Sequence, residues 1–365
     1  MQRYRESGDV GDILRALAQA RRSKVLQPQN SAAADEVAAS AETALHRFKD
    51  ALRYETEAHL DQPDDSNALS QMASLSMELG HYGPVPRDLD LAKRIQSTPT
   101  ATILSIQARY DELTGSLSEA HRLLEEAIAQ SDNVIDNPAQ SRSWYHFRLG
   151  EIAFSMGATD EAKQDERDAI AEFPNDAMAY KDLARFCWAT KDWKCALDAA
   201  DNGAAVIPFA ETLGYKADAQ AALGDPQGAK STQELIFAIE KIGNAYHISD
   251  RLLSVYYSEH GVRLDDSYKI AQREVLTRGD EIYAQDTLAW AAAMDGKWSV
   301  AKRAADRAIR YDTRDPRIQF HVGMIYLHSG LRDLARKHLQ EALALNPQFD
   351  PFQADQARAA LANLT

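Results

Sequence analysis

Chemistry in this chain would have to start from two cysteines, ten histidines and a few places where basic and aromatic side chains gather. Cys187 and Cys195 flank Lys191-Asp192, each four residues from Lys191. On two antiparallel helices joined at that turn they stand at similar height. Cys187 faces the partner helix, but Cys195 is one residue off the inward stripe and so rotated by about 100°. With helix axes ~8–10 Å apart and a Cα limit of ~7 Å, a disulfide is disfavoured and two thiols are expected. His321 and His328 are seven residues apart and share a helix face. That spacing spans ~10 Å, whereas joint chelation on a helix needs three or four residues, so they are read as polar lining groups. His247 and His260 have no neighbouring cysteine or carboxylate at ligand spacing. There is no His-Glu-x-x-His pair and no Gly-x-Ser-x-Gly elbow, and Gly296-Lys297 lacks the upstream glycine of a phosphate loop. The expectation is no enzyme activity, no metal and no cofactor.

Composition narrows the class further. The 365 residues carry 41 basic and 55 acidic side chains, a net charge of −14 that repels phosphate backbones and argues against nucleic-acid binding. No apolar run approaches the ~18 residues of a membrane span, and Met1-Gln2-Arg3-Tyr4-Arg5-Glu6 is not followed by a signal-peptide core. With 61 alanines against 29 glycines and prolines combined, the composition favours closely packed helices over sheets.

A spacing of 34 residues organises those helices. From Pro316, small residues stand at positions 8, 20 and 27 (Gly323, Ala335, Ala342), with Gly330 at 15 and Pro347 at 32. The frame at Ile282 repeats this with Ala289, Gly296, Ala301 and Ala308, and the frame at Ala177 with Ala184, Ala196, Gly203 and Pro208. From Ser143 come Gly150, Gly157, Ala162, Ala169 and Pro174; frames at Ala32 and Ser66 conform as well. Two antiparallel helices approach closely only where side chains at their crossing are small. Positions 20 and 27 lie on one stripe of the second helix, and position 8 faces them from the first. Frames at Ala101 and Ala210 are degenerate, and the one at His247 retains only its turn glycine, Gly261.

The pattern resembles the tetratricopeptide repeat, and among its members the chain is similar to bacterial ones. The resemblance implies an all-α, right-handed superhelical α-solenoid of about one turn, with first helices lining a concave surface. Repeats are expected to start near 32, 66, 101, 143, 177, 210, 247, 282 and 316 in a single array over 1–365. Gly11, Ala16 and Pro28 mark a partial unit over 1–31, as though the native chain began earlier, and 351–364 reads as a capping helix.

In this family positions 2, 5, 6, 9, 12 and 13 of each first helix point into the groove. Here they gather Arg109, Trp144, Phe147, Arg148, Phe154, Lys181, Arg185, Trp188 and Tyr215, with Glu151 and Asp182 as the nearby acids. A surplus of positive charge between aromatic walls is therefore expected, a composition typical of protein interfaces. A secondary set comprises Tyr283, Asp286, Trp290, Arg317, Phe320 and His321. The asparagines of the clamp that adaptors of this family use for chaperone tails are lacking from the central repeats. The leading expectation is a non-catalytic scaffold holding an extended peptide or helix of a partner protein, as a monomer or weak dimer. A self-assembling array is the alternative, and a small-ligand sensor subunit a remote one. A soluble cytoplasmic or periplasmic chain fits, the latter with an export signal upstream of residue 1.

Overall fold

The computed structural model describes residues 10–96, 98–245 and 251–364. Twenty helices, α1 to α20, make up the described residues, with no strand among them. Helix α1 (Val10–Leu26) packs on α2 (Ala32–Ala44), which pairs with α3 (Phe48–Asp61). Antiparallel pairs follow: α4 (Ser66–Glu78) with α5 (Val85–Ile95), α6 (Ala101–Leu113) with α7 (Leu117–Asp132), and α8 (Ala139–Ser155) with α9 (Thr159–Glu172). Next are α10 (Ala177–Ala189) with α11 (Trp193–Val206), α12 (Ala210–Ala222) with α13 (Pro226–Ala245), and α14 (Arg251–Glu259) with α15 (Leu264–Arg278). The last pairs are α16 (Ile282–Met294) with α17 (Trp298–Ala308) and α18 (Pro316–His328) with α19 (Arg332–Leu345), before α20 (Gln353–Ala362). Helix α8 starts one turn before the expected Ser143, while residues 1–9 and the expected repeat start at His247 lie outside the described residues.

Local chemistry sets these boundaries. Asp65, Asp176, Asp192 and Asp315 each accept a hydrogen bond from a backbone N–H in the first turn of the following helix, satisfying donors the helix leaves free. Gly157 ends α8 with φ +81°, a left-handed conformation that only glycine adopts without strain. Inside the hairpins the small-residue stripe is fully buried, with Ala162, Ala169, Ala196 and Ala301 all at 0% exposure. Enlarging Ala301 to leucine is expected to cost about 2 kcal/mol, because a close helix crossing has no room for three more carbons. Thermal unfolding followed by circular dichroism measures it, and an unchanged melting temperature would place the crossing elsewhere.

First helices pack on first helices along the array, forming its inner layer. Rather than leaving an open groove, that layer closes on itself. Hairpin tips in the first half meet connectors of the second: Ile282 donates its N–H to the Tyr82 hydroxyl (3.2 Å), and Arg310 bonds the Gly80 carbonyl (3.2 Å) and the Asp280 carboxylate (2.6 Å). Further along, the Asn346 amide donates to the Phe154 carbonyl at 2.7 Å, and Lys191 pairs with Asp355. One buried cluster spans the seam, joining Met77, Tyr82 and Leu113 to Ile282, Ala301 and Phe320.

Candidate binding site

Closure turns the concave face into an interior with two adjoining cavities. The larger, about 620 Å³, is walled by α6, α8, α10, α16 and α18, with α14 and α15 at one side. Arg109, Phe147, Arg148, Lys181 and Arg185 line it together with Tyr283, Asp286, Trp290, Arg317 and His321. The main and secondary sets expected from the sequence thus face each other across a single space. Arg109 lies 5.1 Å from the Tyr283 ring centre and Arg251 lies 5.6 Å from it.

The expected surplus of positive charge falls to a single unit. Glu112 pairs with both Arg109 (2.8 Å) and Arg148, and Arg148 also pairs with Glu151. Asp182 stands between Lys181 (3.4 Å) and Arg185 (3.3 Å), and Arg317 pairs with Glu259 at 3.3 Å. Eight arginines and lysines line the cavity against seven carboxylates, and Arg109, Arg148, Lys181, Arg185 and Arg317 each have a counter-charge in reach. The neighbours sort the carboxylates. Burial opposes the charge of Glu151, yet Arg148, Lys181 and Arg185 hold it down to about 2. Burial pushes Asp182 up to about 6 despite Lys181, and lifts Glu166, beside Asp182 and Glu151, well above the carboxylate range. Glu274 and Asp315 also line the cavity, and Glu112 and Glu211 are its acids at groove positions that the sequence reading missed. They occupy groove positions 12 and 2 of their frames, so the same positional rule finds them when carboxylates are counted as well as bases.

The second cavity, about 560 Å³, is apolar and aromatic. Trp188, Trp290, Trp298, Met294, Met324 and Phe352 are large apolar side chains of its wall. Its polar rim is internally engaged except at Gln353, whose buried Oε1 has no hydrogen-bond partner among the described residues. Asp218 accepts from the Trp188 indole at 2.9 Å and from His260 at 3.1 Å, and although burial works against a charged His260, this carboxylate lifts it to about 9. His328 stacks on Trp298 with ring centres 3.4 Å apart, and His321, bonded through Nδ1 to Asp286 at 3.0 Å, stacks on Trp290 at 4.3 Å. Trp290 borders both cavities, and its buried Nε1 has no hydrogen-bond partner among the described residues; nor has Nε2 of His321.

Four expected site residues lie off the cavity walls. Phe154 is buried and stacked on Phe186 at 4.3 Å, and Phe320 is buried between Trp290 and Phe349. Tyr215 is buried, donating to Glu211 at 2.7 Å. Trp144 is 40% exposed, edge-on to Tyr145 and Phe147. The cysteines also depart from expectation: Cys187 and Cys195 form a disulfide with Cα atoms 5.7 Å apart. Lys191, in the left-handed region at φ +61°, reverses the chain so tightly that Cys195 falls in the first turn of α11. There the small crossing residues Ala184 and Ala196 are fully buried between the two helices.

No helix among the described residues is long and apolar enough to cross a membrane. No curated protein sequence matches the chain. Solved structures do. A human IFIT1 dimer with PPP-AAAA superposes with a TM-score of 0.56 at 15% identity, covering 83% of this chain and 69% of that one. The same protein with m7Gppp-AAAA gives 0.54 at 15% identity, over 82% and 68% of the two chains. PilW, a type IV pilus biogenesis factor, gives 0.47 at 17% identity over 57% and 92%. At 15% identity the likeness to IFIT1 is one of fold. Residues 316–349 match the tetratricopeptide repeat family, over the frame in which the small-residue pattern is most regular. Residues 316–349 thus form a tetratricopeptide repeat, and around it the described residues build an all-α solenoid of like hairpins.

Proposed function

We propose that the chain is a non-catalytic interaction scaffold that takes a short apolar segment of a partner protein into its tryptophan-lined cavity. Arrays of this architecture serve as interaction scaffolds, and the observation that carries the finer reading is Trp290. Its indole N–H is buried without an acceptor, at the edge of a cavity walled by two further tryptophans and two methionines. An unmet buried donor costs about 1–3 kcal/mol, and a backbone carbonyl of an entering segment would satisfy it. Tryptophan and methionine are the side chains that protein interfaces enrich, and methionine adapts to varied partners. The solved IFIT1 structures hold PPP-AAAA and m7Gppp-AAAA. In this chain seven carboxylates face the eight cations of the charged cavity, so a polyphosphate would have to displace ion pairs such as those of Glu112 with Arg109 and Arg148.

Panning a random peptide display library on the purified chain tests the reading. Selected peptides are expected to share one or two large apolar anchors. Trp290→Phe keeps an aromatic ring but removes the pyrrole part of the indole with its N–H, so it should weaken the best peptide about tenfold, the order of one buried hydrogen bond, while the chain still unfolds cooperatively. Recovery of no apolar motif, or equal binding by the variant, would overturn it.

A further inference from the structure

We propose that His146, Asp165 and Asp168 form a binding site for a divalent transition metal, zinc fitting best, on the hairpin of α8 and α9. The three side chains each offer a ligand atom, and these atoms lie within 4.8 Å of one another. One imidazole and two carboxylates are a zinc-type donor set that leaves a fourth position for water.

Packing explains why they meet. Asp165 and Asp168 are three residues apart and share a face of α9. On α8, His146 lies one turn before Gly150. A Cβ built on Gly150 would stand 3.2 Å from Cβ of Asp165 and 3.1 Å from the Ala162 carbonyl, so the missing side chain is what lets α8 approach α9 at this level. Ligand atoms about 2.1 Å from a tetrahedral zinc are roughly 3.4 Å apart, so side-chain rotation of an ångström or so completes the set.

Two independent observations point to a missing cation. Asp165 is only 9% exposed, and its Oδ2 is buried with no hydrogen-bond partner among the described residues. Nδ1 of His146 is likewise buried and unpartnered. A buried carboxylate normally has a cation or several donors, but the charged groups acting on Asp165 are Glu161, Asp168 and Glu125, all acids. Around the triad, the Gln164 amide donates to Oδ1 of Asp168 at 2.9 Å, fixing that carboxylate and leaving its other oxygen for the ion. His121, held by Glu161 at 3.1 Å, is a partnered neighbour outside the set. The bound ion would tie the inner helix carrying Phe147, Arg148 and Glu151 to its outer partner, stiffening one wall of the charged cavity.

The test titrates zinc chloride into the chelator-treated full chain, without reductant, by isothermal calorimetry and thermal unfolding. One equivalent should bind and raise the melting temperature. His146→Ala and Asp165→Asn should each weaken binding at least tenfold and remove the thermal shift. Asp165→Asn keeps the side-chain volume and loses a repelled charge, so at pH 8 without zinc it should melt no lower than the parent, which separates loss of a ligand from loss of fold. The proposal is overturned if the parent binds no zinc or if both variants bind as the parent does. It also fails if binding is lost on changing His121 to alanine, or the Cys187–Cys195 pair to serines, while His146→Ala retains it.

Discussion

Replacing Gly80 with alanine is expected to destabilise the chain by about 3 kcal/mol, a large effect for a single added methyl group. Gly80 has φ +72°, where an L side chain costs roughly 1–2 kcal/mol. It is also the tip at which the first half of the array meets the second. A Cβ there would collide with the backbone carbon of Asp280 and the nitrogen of Glu281, and lie 2.8 Å from Asp280 Cα. Neither neighbour is a flexible side-chain end, so the seam must open. The bond from Ile282 to Tyr82 and the contact of Arg310 with the Gly80 carbonyl are then put at risk together. Gly296→Ala is the control. With φ +75° and nothing within 4 Å of its Cβ, it should cost only the conformational part, about 1 kcal/mol. Urea titrations of both variants measure the difference. Equal costs would mean that the closure contributes nothing to stability.

That seam marks the limit of what the sequence could disclose. Positions 8, 20 and 27 predicted where helices cross because crossing distance depends on side-chain size a fixed number of residues away, and Ala162, Ala196 and Ala301 are fully buried as required. Closure depends on small rotations accumulated over repeats. Nothing in the spacing links Tyr82 to Ile282, 200 residues on. The site was legible to the same degree. Groove positions located Arg109, Arg148, Lys181 and Arg185, along with Tyr283, Trp290 and His321, but only closure shows that they share one cavity. Setting only Glu151 and Asp182 against those cations gave a larger surplus than the cavity holds, because Glu112 and Glu211 also face them. His146 escaped notice because its companions lie across a hairpin tip, where no local spacing rule applies.

The second large effect concerns a buried carboxylate in the first hairpins. Glu55→Gln is expected to raise stability at pH 8 by about 3 kcal/mol and to change little at pH 4. Glu55 is 4% exposed, and its Oε2 has no hydrogen-bond partner among the described residues. Burial above all, then the carboxylates of Glu36, Asp65 and Asp35, push it up to about 8. Near pH 4 the side chain is largely protonated whether folded or not, and ionisation costs nothing. Between its ordinary value of 4.5 and about 8, the unfolded chain gives up the proton while the folded chain keeps it. Unfolding therefore releases a proton, and stability falls with rising pH throughout that window. Each unit of displacement corresponds to about 1.4 kcal/mol, and relaxation around the ionised group trims the full sum to the figure given. Glutamine removes the titration, and its amide can donate to the surrounding acids, which an ionised glutamate cannot. The measurement is a pair of denaturation series across pH 4–8. A stability difference that widens with pH fits a protonated Glu55. A constant loss at every pH would show instead that Glu55 is ionised and paired, and that its neighbours are arranged around a negative charge.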